Sequence, residues 1–189
     1  MDLPSPGALT AGRAGQGRAA KWVSAAVVSA LLGAGLFFIT RYQDRWVRTQ
    51  SAPGIDGAVS LVFSLEADAP VSGWLRNSTP TLRVSCASGR VSLYVQTELP
   101  AAVEAGSTRT VRLQFDDDAP TIDRWEQSTN HQSLFPPADA APALAEHLAH
   151  SRRFRFAFVP FRAEAVVATF SVYGFAEHWH ALEEACPAG

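Results

Sequence analysis

Cysteine and charged residues are both scarce in this chain of 189 residues. Two cysteines are too few for a disulfide-dense scaffold or a four-cysteine zinc site, but they suffice for one disulfide bond. Charged residues make up 18% of the chain, against about 25% in an average soluble domain, and hydrophobic residues make up 47%. This apolar content excludes disorder throughout, and the length allows one ordinary domain with its own core.

Sequence motifs of common enzymes and metalloproteins are also missing. The chain has no G-x-x-x-x-G-K-S/T loop for phosphate, no H-E-x-x-H or C-x-x-C motif for a metal, and no G-x-S-x-G turn for a nucleophilic serine. The adjacent carboxylates Asp116, Asp117 and Asp118 lack the spacing of a calcium loop and are typical of a solvated turn. The sequence therefore predicts no catalytic residue, no metal site and no cofactor.

Positive and negative charges are distributed unevenly along the chain. Residues 1–50 carry six Lys or Arg against two Asp or Glu, a net charge of +4, whereas residues 51–189 carry ten against sixteen, a net charge of −6. An acidic globular part argues against a nucleic acid as the partner.

One long uncharged segment runs from Trp22 to Thr40. As a helix its nineteen residues would span about 28 Å, close to the hydrocarbon thickness of a bilayer. We expect a transmembrane helix at residues 22–40, preceded by a flexible tail at residues 1–21 that is rich in glycine. A cleaved signal peptide is the alternative, but the apolar run exceeds the usual 7–15 residues or so and no clear A-x-A site follows it.

The basic residues that flank the apolar segment are nearly balanced, so charge alone does not decide its orientation. The two cysteines provide a second indication. If Cys86 and Cys186 form a disulfide, their domain lies in an oxidising compartment, which in a bacterium is the periplasm. This interpretation predicts a single-pass protein of the bacterial inner membrane with a cytoplasmic tail, a linker at residues 41–55 and a periplasmic domain at residues 56–189.

Within residues 56–189 the dominant hydrophobic period is two, which is typical of half-buried strands. Strand candidates include residues 58–67, 81–86, 91–95, 110–115, 153–159 and 165–172. The predicted fold class is therefore mostly β: an antiparallel β-sandwich or small barrel with two short helices, preceded by the transmembrane helix.

The two helices are expected at residues 139–151 and near the carboxyl end of the chain. In the second, Phe175, Trp179, Leu182 and Cys186 share one stripe, so Cys186 faces the core. A disulfide to Cys86 would staple this helix onto the sheet and stabilise the fold by about 4 to 5 kcal/mol in the chain-entropy model. Two buried reduced thiols are the alternative.

Candidate partner-binding residues lie in two places. The segment from Asp116 to Pro137 is predicted as a long connection that contains Trp125, Ser128 and Thr129, and long loops in compact domains often carry function. Trp74 follows a glycine in a predicted turn, where its indole can lie at the sheet edge. The alternative for Trp125 is that it fills one end of the sandwich.

The order and spacing of motifs from about Leu61 to Cys186 resemble those of the type VI secretion-associated VasI/TagO family. They comprise LVFSLEA at 61–67, Val71-Ser72-Gly73, Pro80-Thr81-Leu82 followed by Val84 and Cys86, Leu93-Tyr94-Val95, Phe115-Asp116, Trp125 with Ser128-Thr129, Pro160-Phe161, Ala168-Thr169-Phe170, Gly174 and Ala185-Cys186. The chain departs from the family pattern at Asn130, where an aspartate is usual, and at Phe161, where a tyrosine is usual.

The resemblance implies a non-catalytic accessory protein of a secretion machine in the cell envelope. Its expected partners are the inner membrane and protein components of the secretion apparatus or the cell wall. Two alternatives remain open: an envelope β-sandwich that binds a small ligand or glycan through Trp74 and Trp125, and a cell-wall hydrolase whose acids come from Asp116 to Asp118 or Glu126.

Overall fold

Residues that alternate between apolar and polar form the strands of a mostly β domain, as the sequence predicts. The computed structural model describes residues 45–50 and 60–186. The predicted tail and transmembrane helix at residues 1–40 lie outside these residues. The choice between an uncleaved helix and a cleaved signal peptide concerns the same undescribed segment. Within them, the two helices of nine and eleven residues are too short and too polar to cross a lipid bilayer.

Eleven strands and two helices occur in the described part of the chain. The strands are β1 (Val47–Gln50), β2 (Leu61–Glu66), β3 (Val71–Ser72), β4 (Asn77–Ser78), β5 (Thr81–Ala87), β6 (Arg90–Gln96), β7 (Thr108–Phe115), β8 (Thr121–Gln127), β9 (Ser133–Phe135), β10 (Phe154–Phe158) and β11 (Val166–Phe170). The helices are α1 (Ala141–Ala149) and α2 (Phe175–Ala185).

Nine strands form one antiparallel sheet in the order β1-β2-β5-β6-β9-β8-β7-β10-β11, and β3 pairs with β4 in a separate small sheet. The large sheet is open, with β1 and β11 as its edges among the described residues. Of the two predicted forms, it is therefore consistent with the sandwich and not with a closed barrel. Asp68, just after β2, links the two ends of the strand order: its N–H donates to the carbonyl of Thr169 in β11 at 2.8 Å.

The inward positions of the strands supply the core, and the strand alternation is confirmed. Leu61, Phe63 and Leu65 of β2 are buried, as are the three phenylalanines of β10 at 154, 156 and 158. Burying such side chains is the main favourable term in folding, about 1.5–3 kcal/mol for each large apolar residue. This burial fixes which face of each strand points outward and therefore which residues can form surface sites.

Helix α2 packs on the sheet through its predicted stripe. Phe175, Trp179 and Leu182 are buried, and Cys186 caps the helix at its carboxyl end. Cys186 forms a disulfide with Cys86 of β5, with a Cα–Cα distance of 5.8 Å across a sequence separation of 100 residues. The structure thus agrees with the predicted staple.

Two segments differ from the sequence interpretation. The predicted linker at residues 41–55 contains β1, which pairs with β2 from Val47↔Ser64 to Gln50↔Leu61. Beside it, Trp46 is buried and packs on Phe175 with ring centroids 4.5 Å apart. All four residues of β1 are exposed, so no alternation marks it in the sequence.

The second difference is at residues 116–137, which were expected to form a long connection and instead contain β8 and β9. In β8 only Trp125 is buried, and the other six residues are exposed or half-buried. A strand with a single buried residue shows no clear period of two, which explains the wrong prediction.

Candidate functional site

The structure separates the five residues predicted to bind a partner. Trp125 lies in the core: it is fully buried, its ring centroid is 5.0 Å from that of Phe156, and its indole N–H donates to the carboxylate of Asp123 at 3.1 Å. This burial leaves no Trp125 surface open to a partner in this structure, and it agrees with the alternative that Trp125 fills the sandwich.

Asp116 joins two strands of the sheet at their ends. One carboxylate oxygen accepts the backbone N–H groups of Arg152 at 3.0 Å and Arg153 at 2.9 Å. The Asp116 N–H in turn donates to the carbonyl of Arg153 at 2.9 Å. These bonds hold the end of β7 against the start of β10, so the described contacts of Asp116 are structural.

The acids proposed for a hydrolase do not converge. Glu126 of β8 pairs with Thr108 of β7. Asp116 to Asp118 lie at the opposite end of the same hairpin, beyond the Leu113↔Thr121 pair. Glu126 is five positions after Thr121 along the strand, which is roughly 17 Å at about 3.3 Å per residue. Two carboxyl groups that act on one glycosidic bond lie about 5–10 Å apart, so Glu126 and the Asp116 to Asp118 cluster do not form such a pair.

Ser128 builds the turn between β8 and β9. Its hydroxyl donates to the Asn130 side chain at 2.7 Å and accepts the backbone N–H groups of Gln132 and Ser133 at 3.2 and 3.0 Å. Thr129 is exposed on this turn. The next residues of this turn, Asn130, His131 and Gln132, line a cleft that also contains Trp74.

Trp74 borders a cleft of about 430 Å³, which we call the Trp74 cleft. Its lining residues come from four separate stretches of the chain: Gly73, Trp74, Leu75, Arg76, Glu98, Leu99, Pro100, Asn130, His131, Gln132, Pro160 and Phe161. The Trp74 side chain is 53% exposed, Leu75 is 81% exposed and Phe161 is 37% exposed. The sequence analysis placed Trp74 and the segment from Asp116 to Pro137 in two separate candidate surfaces, and Asn130 to Gln132 of that segment line the cleft. It missed the walls at residues 98–100 and 160–161, which meet Trp74 only in the folded chain.

The turn between β3 and β4 is fixed against the rest of the cleft. The N–H of Gly73 donates to the carbonyl of Arg76 at 2.9 Å, and the Arg76 guanidinium donates to the carbonyl of Glu98. A Cβ atom at Gly73 would lie 2.8 Å from a methyl carbon of Leu99 and 2.9 Å from the Arg76 carbonyl oxygen. Only glycine allows this close approach, so Gly73 lets the turn that carries Trp74 pack against Leu99.

The opposite wall is built on backbone hydrogen bonds. The N–H of Phe161 donates to the carbonyl of Pro100 at 2.8 Å, and that of Ala102 donates to the carbonyl of Val159 at 2.7 Å. These bonds lie on either side of the Ala101↔Pro160 bridge, so the two proline-containing segments are held side by side.

Two aromatic rings and one guanidinium form the exposed end of the cleft. The Trp74 and Phe161 rings meet edge to face, with centroids 6.5 Å apart and an interplanar angle of 80°. The Cζ atom of Arg162 lies 4.9 Å from the Trp74 ring centroid and 5.2 Å from that of Phe161. Such contacts are worth about 0.5–1 kcal/mol each at exposed sites, so they favour this arrangement of the two rings.

The chemistry of the cleft is that of a binding site. Its apolar floor and walls can bury aliphatic or aromatic groups, while side chains at the rim offer hydrogen bonds: Arg76, Asn130, His131 and Gln132. Across the described residues, no group of three or more His, Cys, Asp or Glu side chains could hold a metal ion. Comparison with known proteins found no family model, curated protein or solved structure that matches the chain.

Proposed function

We propose that this chain is a non-catalytic accessory protein of a type VI secretion system, anchored in the bacterial inner membrane, whose periplasmic domain docks on a protein component of the apparatus through the Trp74 cleft. The observation that carries the docking proposal is the exposure of Trp74. The other tryptophans in the described residues, Trp46, Trp125 and Trp179, are at most 8% exposed.

The exposed aromatic surface is large enough to anchor a partner. A tryptophan side chain buries up to about 250 Å². Covering the 53% of Trp74 that is exposed would remove roughly 130 Å² from water, which corresponds to about 3 kcal/mol at about 25 cal/mol/Å². This is the magnitude of an interface hot spot, and tryptophan is among the residues most enriched in hot spots.

The cellular part of the proposal is supported by three features of the sequence and the fold. The uncharged segment at residues 22–40 has the length of a membrane span. The Cys86–Cys186 disulfide suits an oxidising compartment such as the periplasm. The family resemblance links the domain to the secretion apparatus, and Pro160-Phe161, which stands where the family usually has Pro-Tyr, forms a wall of the cleft.

A complementation assay tests this proposal. The gene is deleted, and effector delivery and sheath dynamics are measured after expression of the wild-type chain, Trp74→Ala or the control Val103→Ala, whose side chain is 78% exposed outside the cleft. We expect deletion and Trp74→Ala to reduce delivery and Val103→Ala to restore it, at equal protein levels. Delivery that is unchanged by deletion would overturn the secretion role, and full rescue by Trp74→Ala would overturn the role of the cleft.

A second candidate function is the binding of a small ligand or glycan. The exposed Trp74 indole favours it, because an aromatic face can stack on a sugar ring. Of the two tryptophans first assigned to such a site, however, Trp125 is fully buried. Titration of the full chain with soluble muropeptides distinguishes the two candidates: saturable quenching of tryptophan fluorescence that Trp74→Phe removes would favour the glycan function.

A further inference from the structure

A row of paired residues crosses the outer face of four strands. Ile122 of β8 pairs with Arg112 of β7, which pairs with Ala157 of β10, which pairs with Val167 of β11. A depression of about 410 Å³ lies over this row. We call it the outer groove, and its lining residues are Thr110, Val111, Arg112, Gln114, Pro120, Ile122, Arg155, Ala157, Phe158, Val159, Ala165 and Val167.

The shape of the outer groove follows from side-chain size. The short side chain of Ala157 lies in the middle of the row, between longer side chains on either side. Ile122 is 68% exposed, Val167 is 55% exposed and Val159 is 42% exposed. Ile122 lies on β8 and Val167 on β11, with Arg112 and Ala157 between them, so exposed apolar side chains stand at both ends of the row.

The charge of the outer groove is opposite to that of the domain around it. Arg112 and Arg155 line the groove, and none of its lining residues is acidic. Arg155 donates to the neutral Gln114 side chain at 2.9 Å, and no hydrogen bond or ion pair of the described residues involves the Arg112 side chain. Arg124, on the same face of β8, is by contrast neutralised by Glu104 at 2.6 Å.

The strand pairing sets the backbone spacing of the two arginines. Arg112 pairs with Ala157, so Arg155, two residues earlier on β10, is its diagonal neighbour across the two strands. The Cα atoms of diagonal neighbours lie about 7–8 Å apart. In an extended peptide, side chains two residues apart point to the same face and are separated by about 6.6–7 Å. Two carboxylates in the pattern acid-x-acid would therefore meet both arginines at once.

We propose that the outer groove binds an extended acidic segment of a partner protein, with two carboxylates two residues apart on Arg112 and Arg155 and with the aliphatic side chain that flanks the Arg112-bound carboxylate against Ile122. Arginine suits this role because its planar guanidinium donates two parallel hydrogen bonds to a carboxylate. The outer groove shares no lining residue with the Trp74 cleft. The proposal for the groove does not require the proposed secretion role.

Fluorescence anisotropy with the full chain in detergent tests the proposal. The probe is the fluorescein-labelled peptide Ser-Val-Ser-Asp-Ser-Asp-Ser-Val-Ser, and the matched peptide carries asparagine in place of both aspartates. We expect the acidic peptide to bind more tightly than the neutral one. Arg112→Gln with Arg155→Gln should weaken binding about tenfold, the sum expected for two partly exposed charge contacts. Arg152→Gln, the same change at an exposed arginine outside the groove, should leave binding unchanged.

Several results would overturn the proposal. Equal affinity for the two peptides, or an unchanged affinity in the double variant, would show that the arginines bind no acidic segment. Ile122→Ser tests the aliphatic contact without a change in charge. Unchanged peptide binding by this variant would also contradict the proposal. Protection of β7 and β10 from hydrogen exchange in phosphatidylglycerol nanodiscs but not in phosphatidylcholine nanodiscs, without peptide binding, would assign the surface to a membrane.

Discussion

Loss of the Cys86–Cys186 disulfide should remove a large part of the stability of this domain. The bond closes a loop with a sequence separation of 100 residues and ties β5 to the carboxyl end of α2. In the chain-entropy model a loop of this length is worth about 4.7 kcal/mol, because the unfolded chain loses conformational freedom when it is closed. Small domains are typically stable by only about 5–15 kcal/mol, so the reduced protein should be near its threshold of unfolding.

Urea unfolding of the full chain in detergent measures this effect. We expect Cys86→Ala with Cys186→Ala to lower the free energy of unfolding by about 4 kcal/mol, and dithiothreitol to have a similar effect on the wild-type chain. Dithiothreitol should not affect the double variant, which serves as the control. A loss below about 1 kcal/mol in both experiments would refute the view that this bond clamps α2 onto the sheet.

Three further changes test the packing and the electrostatics of the domain. Gly73→Ala should lower stability by about 1–3 kcal/mol in thermal unfolding, because the new methyl group would overlap Leu99; an unchanged melting temperature would contradict the tight approach. Trp125→Ala should cost about 3–5 kcal/mol, as expected for a core residue, and a cost below 1 kcal/mol would argue against its burial. The backbone N–H of Thr110 lowers the pKa of Glu104, so the stability that Glu104 contributes is present at neutral pH and is lost as the pH falls through its folded pKa. Glu104→Gln should therefore be less stable than the wild type at pH 7, and the difference should shrink towards pH 3 in urea titrations; a difference that is constant with pH would refute this coupling.

The parts of the fold that were predictable are those where burial leaves a period in the sequence. The strands around Phe63 and Phe156 alternate because one face of each is in the core, and the α2 stripe that includes Leu182 follows from the helical period. Strand β8 was missed because only Trp125 is buried, and β1 was missed because none of its residues is.

The candidate site was predictable only in part. Trp74 was identified because an aromatic residue after a glycine in a turn suggests an exposed ring. The segments around Pro100, His131 and Phe161 are 26 to 87 residues further along the chain and join Trp74 through backbone hydrogen bonds and side-chain contacts between distant segments. No local pattern in the sequence encodes that meeting. The outer groove is similar, since Arg112 and Arg155 become neighbours only through the pairing of β7 with β10.

Photocrosslinking in living cells tests the docking role of the Trp74 cleft most directly. Leu75 is 81% exposed beside Trp74, so a benzoylphenylalanine at this position should crosslink to a protein component of the secretion apparatus. Trp74→Ala in the same chain should reduce that product strongly, and the same photoreactive residue at Val103 should not form it. A Leu75 product that Trp74→Ala leaves unchanged, or that appears equally from Val103, would contradict the account.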